Sequence, residues 1–281
     1  MKIIDKKTLA ETEGVKITSF KVKAFEISQK AKPGQFVVLM VSEEGERIPL
    51  TIVDKDPQEE TITLIFQEIG LSTKLLGRLN IGDSLYVLVG PLGTPTPIKN
   101  YGKVILVGGG VGIAEIFPVA KALRERGAQL TIILGARTKE LLILEEELKN
   151  LSYEFYITTD DGSYGRRGFT TDVLKELLAT NQESKTVKLV YAVGPIPMMQ
   201  KVSQITKEFG IKTIVSLNAL MVDATGMCGC CRVSIGGEVK FSCIDGPEFD
   251  AHLIDWQELI LRNRIYEEKE KHICKLYKLD I

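Results

Sequence analysis

The stretch VILVGGGVGIAE, residues 104–115, decides the fold prediction for this chain. Its first four residues are apolar and β-rich, as in a buried strand, and the glycines that follow predict a turn into a helix near Ile113. A strand, a glycine turn and a helix direct the first helical N–H groups toward the turn, which favours anion binding. The G-x-G-x-x-G fingerprint is incomplete, because Ile113 or Glu115 occupies its last position.

Predicted strands and helices alternate downstream of this stretch. The strands cover residues 103–107, 130–134, 153–158 and 187–193, and the helices cover residues 113–126, 138–150, 171–179 and 197–209. Such alternation with continuous apolar strands is typical of an open parallel α/β sheet. Ligands of these sheets bind outside the carboxyl ends of the strands. The candidate nucleotide-binding residues that fall there are Gly109, Gly110, Val111, Gly112, Ile113, Gly135, Arg137, Asp160, Asp161, Gly194, Pro195 and Met198.

Short β-rich runs precede the stretch and predict a small antiparallel barrel. They cover residues 15–19, 34–41, 48–53, 61–67 and 84–89, with a short helix over residues 70–79. Residues 90–97 hold three prolines and mark a domain boundary. In the barrel, Thr51 could hydrogen-bond a ring nitrogen, and Gly70, Ser72 and Thr73 at a helix start could hold a pyrophosphate. Such residues are more often N-caps or ordinary strand residues.

Four of the five cysteines fall within the sixteen residues from Cys228 to Cys243. A plant-type [2Fe–2S] cluster uses C-x₄-C-x₂-C and a distant fourth cysteine. Here Asp223, Cys228 and Cys231 keep both spacings, and Cys243 follows a hairpin predicted to turn at residues 236–237. A structural zinc site and simply buried cysteines are the alternatives, but the ferredoxin spacing is more specific than a single C-x₂-C.

The predicted cluster ligands are therefore Asp223, Cys228, Cys231 and Cys243. A carboxylate oxygen in place of one thiolate is acceptable to iron and should change the cluster potential. Cys230 lies between the ligands and needs no contact with the metal, and Cys274 stands apart in the tail. Neither of these two cysteines has a predicted role.

Composition limits the possible functions. The chain has 281 residues, and its 36 Lys and Arg against 37 Asp and Glu give no reason to expect nucleic-acid or anionic-membrane binding. It shows no secretory signal and no run of ~20 apolar residues, so we expect a cytoplasmic protein. The two histidines, His252 and His272, lie near no candidate nucleophile, and no catalytic side chain is predicted.

Four motifs together resemble the ferredoxin-reductase-like flavoproteins that carry a C-terminal [2Fe–2S] segment. RIPLT (47–51) is similar to their flavin motif, GGGVGIAE (108–115) and VGPIPMM (193–199) to their nucleotide segments, and the cysteine segment through residues 245–247 to their cluster segment. The resemblance implies FAD, NAD(H) and a [2Fe–2S] cluster. Its implied FAD contacts are Arg47, Pro49, Leu50, Thr51, Ile65, Phe66, Gln67, Gly70, Ser72 and Thr73.

The domain organisation that the resemblance implies has four parts. Residues 1–97 form an FAD-binding barrel, and residues 98–215 form an NAD(H)-binding α/β domain. Residues 216–250 form the cluster segment, and residues 251–281 form a helical tail. The charged run at residues 267–271 is expected to be the solvated face of a terminal helix.

Three positions depart from the common pattern of this family. Ile48 stands where the flavin motif has arginine, Glu115 where proline is common, and Asp223 where the dihydroorotate dehydrogenase electron-transfer subunits have cysteine. The aspartate and the tail residues 255–256 and 262–264 resemble instead the small (alpha) subunits of NADH-dependent ferredoxin:NADP⁺ oxidoreductases, also called sulfide dehydrogenase beta subunits.

The resemblance implies an electron relay in which the cofactors carry the chemistry. NADH gives a hydride to FAD, and the cluster passes the electrons on singly. A larger partner subunit with another FAD and [4Fe–4S] clusters is implied, in a heterodimer that performs electron bifurcation and reaches ferredoxin through the partner. The alternatives are an electron-transfer subunit of an NAD-type dihydroorotate dehydrogenase and a non-enzymatic metal-sensing module. NAD and NADP stay undecided, because Arg137 could meet a 2′-phosphate, meet a diphosphate or face solvent.

Overall fold

The computed structural model of the chain describes residues 1–180 and 185–276, except for the side chains of Cys274 and Lys275. The chain divides into two compact units. Unit 1 holds Met1–Pro95, Asn218–Pro247 and the chain from Asp255 onward. Unit 2 holds Thr96–Leu217 and Glu248–Ile254. The cysteine segment therefore shares a unit with the N-terminal sheet.

The N-terminal part of unit 1 is a six-stranded antiparallel sheet with the order β1-β2-β5-β4-β3-β6. An antiparallel bridge between Lys2 and Ser84, just ahead of the two outer strands, joins the edges and closes the sheet. The predicted antiparallel barrel is thereby confirmed. The strands are β1 (Ile3–Thr12), β2 (Val15–Lys23), β3 (Phe36–Met40), β4 (Ile48–Asp56), β5 (Thr61–Gln67) and β6 (Val87–Leu92).

Inward-facing side chains of these strands fill the barrel core. Phe20 and Phe66 are buried there, with their rings edge to face and their centroids 5.1 Å apart. Strand β1 is absent from the sequence prediction because most of its side chains are at least partly exposed, so it needs few apolar residues. Helix α1 (Phe25–Lys30) is also unpredicted, whereas α2 (Leu71–Arg78) matches the expected short helix.

Unit 2 is built on a seven-stranded sheet with a helix after most strands. Its order is β10-β9-β8-β7-β11-β12-β15, and all its strand pairs are parallel except the last. The first part contains β7 (Lys103–Gly109), α3 (Gly112–Glu125), β8 (Gln129–Ala136), α4 (Glu145–Leu151), β9 (Glu154–Thr159) and β10 (Arg166–Arg167). The second part contains α5 (Thr170–Ala179), β11 (Val187–Val193), α6 (Ile196–Glu208) and β12 (Thr213–Ser216).

The predicted alternation of strands and helices holds, with one correction. The expected helix over residues 138–150 is wrong, because the chain forms a 3₁₀ turn at Lys139–Leu141 before α4 begins. Between the two, Leu144 adopts a left-handed backbone conformation with φ of 53°, which no continuous helix contains.

The chain then forms a hairpin of β13 (Arg232–Ile235) and β14 (Glu238–Phe241). Its turn falls at Gly236 and Gly237, as predicted, and both residues have the positive φ that tight hairpin turns require. Three further elements follow, namely β15 (Glu248–Asp250), α7 (Trp256–Asn263) and α8 (Glu267–Leu276). Strand β15 adds the antiparallel edge to the sheet of unit 2, which makes that sheet mixed.

Helix α8 contains the charged run of residues 267–271. Lys271 forms an ion pair with Glu267 at 2.7 Å, one helical turn apart, and both side chains are exposed. The expected solvated terminal helix is thus present. Over residues 1–180 and 185–276, no helix is long and apolar enough to cross a membrane.

Candidate functional site

The nucleotide site predicted from the glycine stretch lies at the centre of the unit 2 sheet. Strand β7 pairs with β8 at one edge and with β11 at the other. The chain therefore adds β8, β9 and β10 on one side of β7 and then crosses to add β11 and β12 on the opposite side. This is the topological switch point of an open α/β sheet, where a crevice forms outside the carboxyl ends of the strands. The loops after β7 and β11 therefore meet at one place.

Glycines make the close approach of these two loops possible. A Cβ on Gly112 would lie 2.5 Å from the Val193 carbonyl oxygen, and one on Gly109 would lie 2.5 Å from the Met198 sulfur. A Cβ on Gly194 would lie 3.1 Å from the Gly109 Cα. Gly110 completes the turn with a φ of 57°. The floor of the crevice is thus bare backbone at the start of α3, which fits a dinucleotide diphosphate.

Three further candidate residues lie with this crevice or beneath it. Pro195 is the N-cap of α6 and is exposed, and Val111 is the partly exposed N-cap of α3. Ile113, by contrast, is fully buried in the core under α3, so its side chain packs rather than faces a ligand. The crevice is therefore built mainly from backbone.

The remaining nucleotide candidates lie at the carboxyl ends of β8 and β9. A Cβ on Gly135 would lie 2.4 Å from Thr170 Cγ2, so this position is closely packed. Arg137 and Asp160 are exposed. The backbone N–H and the hydroxyl of Ser163 both donate hydrogen bonds to Asp161. These two bonds, of which the backbone one has the larger effect, lower the pKa of the Asp161 carboxyl.

The FAD candidates of the barrel lie on β4, β5 and the start of α2. Arg47 is exposed just before β4, and its neighbours Pro49, Leu50 and Thr51 on that strand are partly buried. Ile65 and Phe66 of β5 are buried, so only their backbone could face a ligand, whereas Gln67 is partly exposed.

The start of α2 offers an open N-terminus. Gly70 is its extended N-cap, and nothing lies within 4 Å of the place where a Cβ would sit. Ser72 donates a hydrogen bond to the Glu46 carboxylate. Thr73 Oγ1 accepts from the backbone N–H groups of Ile69 and Gly70 at 3.0 and 3.1 Å. The space beside Gly70 and the free helix start fit a pyrophosphate.

The predicted cluster ligands fall into two pairs in unit 1. Cys231 and Cys243 are buried, with their sulfur atoms 3.1 Å apart. Asp223 accepts the backbone N–H of Cys228 at 3.1 Å, which brings the second pair together. Over the described part of the chain, no three His, Cys, Asp or Glu side chains converge on one metal position. Two separate donor pairs fit a cluster of two irons better than a single metal ion.

The loop that carries these donors is tightly curled. Ala224, Gly226 and Gly229 all adopt positive φ, at 58°, 81° and 68°. The buried cysteines pack with Phe36 and Val38 of β3, so the loop is attached to the barrel strand. Two soft thiols and one carboxylate on this loop, with the Cys243 thiol beyond the hairpin, suit iron.

The packing and hydrogen bonds of this segment also shift the pKa values of its thiols and of its carboxyl. Burial, and then the hydrogen bond with Cys231, raises the pKa of the Cys243 thiol to about 12. Burial also raises the pKa of the Cys230 thiol. The N–H of Thr225 lowers the pKa of Asp223, which holds that carboxyl ionised. Metal binding must therefore displace protons from the buried thiols.

Sequence reasoning missed one buried carboxyl in unit 2. Glu248 begins β15, and its Oε1 accepts hydrogen bonds from the hydroxyls of Thr96 and Tyr191. Its Oε2 is buried, and no described residue donates to it. Burial raises the pKa of Glu248 to about 7. A single glutamate after a proline carries no sequence signal for burial, because its partners are distant along the chain.

Together the barrel, the nucleotide crevice and the cysteine loop define a ferredoxin-reductase-type oxidoreductase with an added iron–sulfur segment. The family described as the iron–sulfur cluster binding domain of dihydroorotate dehydrogenase B matches residues 218–255. The oxidoreductase NAD-binding domain matches residues 106–204.

Individual relatives cover nearly the whole chain. A dihydroorotate dehydrogenase B (NAD⁺) electron transfer subunit homolog of Thermotoga maritima is 45% identical over 269 residues, which cover 96% of this chain and 92% of that protein. The chain belongs to the family of dihydroorotate dehydrogenase B electron-transfer subunits and their homologues. The resemblance inferred from the motifs is thereby confirmed.

Solved structures agree with this assignment. The structure of an NADH-dependent reduced ferredoxin-NADP oxidoreductase, studied for flavin-based electron bifurcation, superposes with a TM-score of 0.90 at 43% identity and covers 98% of this chain and 97% of that one. A ferredoxin reductase of carbazole 1,9a-dioxygenase superposes with a TM-score of 0.62 at 18% identity, over 75% of this chain and 65% of that one, and shows the shared fold.

The chain is therefore an oxidoreductase subunit that transfers electrons, and its cofactors are FAD, a [2Fe–2S] cluster and NAD(H). The metal-sensing alternative is excluded by this assignment.

Proposed function

We propose that this chain is the NAD(H)-linked subunit of a bifurcating NADH-dependent reduced ferredoxin:NADP⁺ oxidoreductase. The observation that carries the proposal is Asp223, which occupies the first donor position of the cysteine loop and contacts the second donor, Cys228. The similarity to the solved oxidoreductase over 98% of the chain supports the same assignment.

In this proposal the bare backbone of the crevice binds the dinucleotide. Gly109, Gly112 and Gly194 allow the loops after β7 and β11 to approach each other, and the start of α3 directs N–H groups toward the diphosphate. The residues at the ends of β8 and β9, Arg137, Asp160 and Asp161, would then face the adenosine end. The proposed hydride transfer requires no side chain to act as an acid or a base.

In this proposal the barrel binds FAD and the cysteine loop binds the cluster. Thr51 is the register partner of Phe36 on the neighbouring strand, and Phe36 packs against Cys231 and Cys243. A flavin ring held at Thr51 would therefore lie beside β4, and a cluster held by these cysteines would lie beside the neighbouring strand β3. When bound, FAD takes the electron pair of the NADH hydride and the cluster carries electrons one at a time.

Within the loop, each ligand pair has its own task. Cys231 and Cys243 would hold one iron in a buried environment, and Asp223 with Cys228 would hold the other at the exposed end. The N–H groups of Thr225 and Cys228 fix the orientation of the Asp223 carboxylate.

Relatives of this chain are electron-transfer subunits, so a further subunit is needed to take or supply the electrons. We propose a larger partner with its own FAD and [4Fe–4S] clusters, in a heterodimer, with ferredoxin reached through that partner. We place the complex in the reducing cytoplasm, where clustered cysteines bind metals more often than they form disulfides.

Co-purification tests the proposal. A tagged chain produced in its native host should retain a flavin- and iron-containing partner. The complex should reduce NADP⁺ only when both NADH and reduced ferredoxin supply electrons, and in the reverse direction it should couple the oxidation of two NADPH to the reduction of one NAD⁺ and of ferredoxin by two electrons. Isolation with a partner that oxidises dihydroorotate would instead identify the second candidate, a dihydroorotate dehydrogenase electron-transfer subunit, which the Thermotoga maritima relative favours. A chain that retains neither partner contradicts both.

A further inference from the structure

The last turn of α7 contacts the cysteine loop at two places in unit 1. Arg262 Nη2 donates to the backbone carbonyl of Cys230 at 3.2 Å and, more weakly, to that of Gly229 at 3.4 Å. Asn263 accepts the N–H of Leu220 at 3.2 Å and donates to the carbonyl of Asn218 at 3.0 Å. Two consecutive residues thus hold both ends of the segment that carries two of the predicted ligands.

Helix α7 is well suited to act as a fixed support. It has eight residues, and a helix of that length is marginal in water without tertiary contacts. Its N-cap residue Asp255 donates its backbone N–H to Ser234 of the hairpin at 2.9 Å, and Glu258 accepts the Ser234 hydroxyl. Leu259 is its fully buried side chain. The helix is therefore held on the cluster segment from its first residue to its last.

Arg262 also brings a positive charge to the loop. Its Nε atom is buried and makes no hydrogen bond within residues 1–180 and 185–276. A single guanidinium nitrogen, Nη2, contacts the two carbonyls beside Cys228 and Cys231. A cation next to a cluster stabilises its reduced form, which carries one more negative charge, and so raises the reduction potential.

We propose that Arg262 and Asn263 are positioning residues of the iron–sulfur site. Asn263 fixes the entry of the cysteine loop, and Arg262 fixes its far end and sets part of the cluster potential through its charge. The inference rests on the proposed cluster ligands, and it gives Arg262 and Asn263 of the tail a role that the proposed electron relay does not assign them.

Four variants of the full chain separate the two contributions. Arg262→Gln removes the positive charge and the guanidinium. Arg262→Lys keeps the charge but not the planar guanidinium whose Nη2 reaches both carbonyls, and Asn263→Ala removes only the neutral contacts. Arg264→Gln is the matched control, because Arg264 is an exposed arginine two residues away whose charge acts on Glu267. The readouts are the potential from a redox titration followed by EPR, and the rate of cluster loss to a chelator.

We expect Arg262→Gln to lower the potential and to speed cluster loss on the order of tenfold, as other outer contacts of metal sites do. Arg262→Lys should keep the potential near the wild-type value but lose the cluster faster, and Asn263→Ala should lose it faster at unchanged potential. Arg264→Gln should match the wild type in both.

Equal potentials and equal loss rates for Arg262→Gln and Arg264→Gln would overturn the inference. That outcome differs from failure of the proposed function, which co-purification with another partner would show while the wild-type chain still holds its [2Fe–2S] cluster. If Arg262→Gln fails to fold, the Arg262→Lys and Asn263→Ala pair still decides, because wild-type loss rates in both would contradict the proposed support.

Discussion

The nucleotide crevice and the cysteine loop reach function in opposite ways. The crevice depends on side chains that are missing, since Gly109, Gly112 and Gly194 let two backbone loops touch. The cysteine loop depends on side chains that are present, with Cys231 and Cys243 buried together and Asp223 turned to Cys228. An added Cβ should therefore weaken nucleotide binding in the crevice, whereas removal of a ligand atom should weaken cluster binding at the cysteine loop.

The largest effect is expected at the buried cysteine pair. Cys243→Ser should abolish cluster binding, because Cys231 would keep no thiol partner at 3.1 Å and a serine oxygen in a buried site is a poor replacement for a soft ligand. Iron content and the EPR spectrum measure the result, and NADH affinity should stay unchanged. Cys230→Ser is the matched control and should keep the cluster. Equal iron loss in both variants would show that the ligand assignment is wrong.

The crevice gives the next largest effect, through an added methyl group. In Gly112→Ala the new Cβ meets the Val193 backbone oxygen at 2.5 Å, which cannot move aside, so we expect about 1–3 kcal/mol of destabilisation. NADH should bind at least roughly tenfold more weakly, about 1.4 kcal/mol.

Gly109→Ala is the comparison variant. Its Cβ meets the flexible end of Met198, also at 2.5 Å, so the loss of stability should stay below about 1.5 kcal/mol. Calorimetry of NADH binding and thermal denaturation check both variants. If Gly112→Ala loses less stability than Gly109→Ala does, the loops after β7 and β11 do not approach each other as closely as described.

A third prediction concerns pH and the buried Glu248 of unit 2. Its pKa of about 7 in the folded chain exceeds its usual 4.5, because burial disfavours the charged form. Below pH 4.5 the carboxyl is protonated in both states, and the contribution of Glu248 to stability is highest. As the pH rises to about 7 the unfolded chain releases its proton first, so up to about 3 kcal/mol of stability is lost.

Glu248→Gln should flatten this dependence, so the variant gains melting temperature relative to the wild type at about pH 8 but not at about pH 4. Glu176→Gln is the control, since Glu176 is exposed and the Arg166 hydrogen bond lowers its pKa instead. An identical pH profile for Glu248→Gln and the wild type would mean that Glu248 is solvated.

The smallest expected effect is a shift of the cluster potential, and it tests whether Asp223 is a ligand. Asp223→Cys should retain the cluster, because thiolate is the common ligand at this spacing, and should lower its potential, because a thiolate donates more charge to iron than a carboxylate does. A redox titration measures the shift. An unchanged potential would show that Asp223 does not bind the iron.

The two regions also differ in how far the sequence predicts them. The apolar strands and glycines of residues 104–115 predict the central strand, the turn and α3, and the cysteine spacing predicts both donor pairs, because these signals are local. Leu144, which breaks the expected helix before α4, has no such local signal.

Contacts between distant parts of the chain were beyond sequence reasoning. Arg262 lies 32 residues from the Cys230 carbonyl that it contacts, and Tyr191 lies 57 residues from Glu248. Strand β1 was missed for a different reason, since a mostly exposed strand carries little apolar pattern. Sequence therefore predicts the candidate ligands and the glycines, and the structure adds the distant residues that contact them, such as Arg262 beside Cys230.

Anaerobic addition of NADH to the purified chain, followed by absorbance and EPR, tests the central claim most directly. The claim is that this single chain relays electrons from NADH through FAD to the [2Fe–2S] cluster. We predict that the flavin absorbance bleaches and that the EPR signal of a reduced [2Fe–2S] cluster appears in the same sample. Flavin reduction in a chain whose cluster gives no signal even with excess dithionite would contradict the relay.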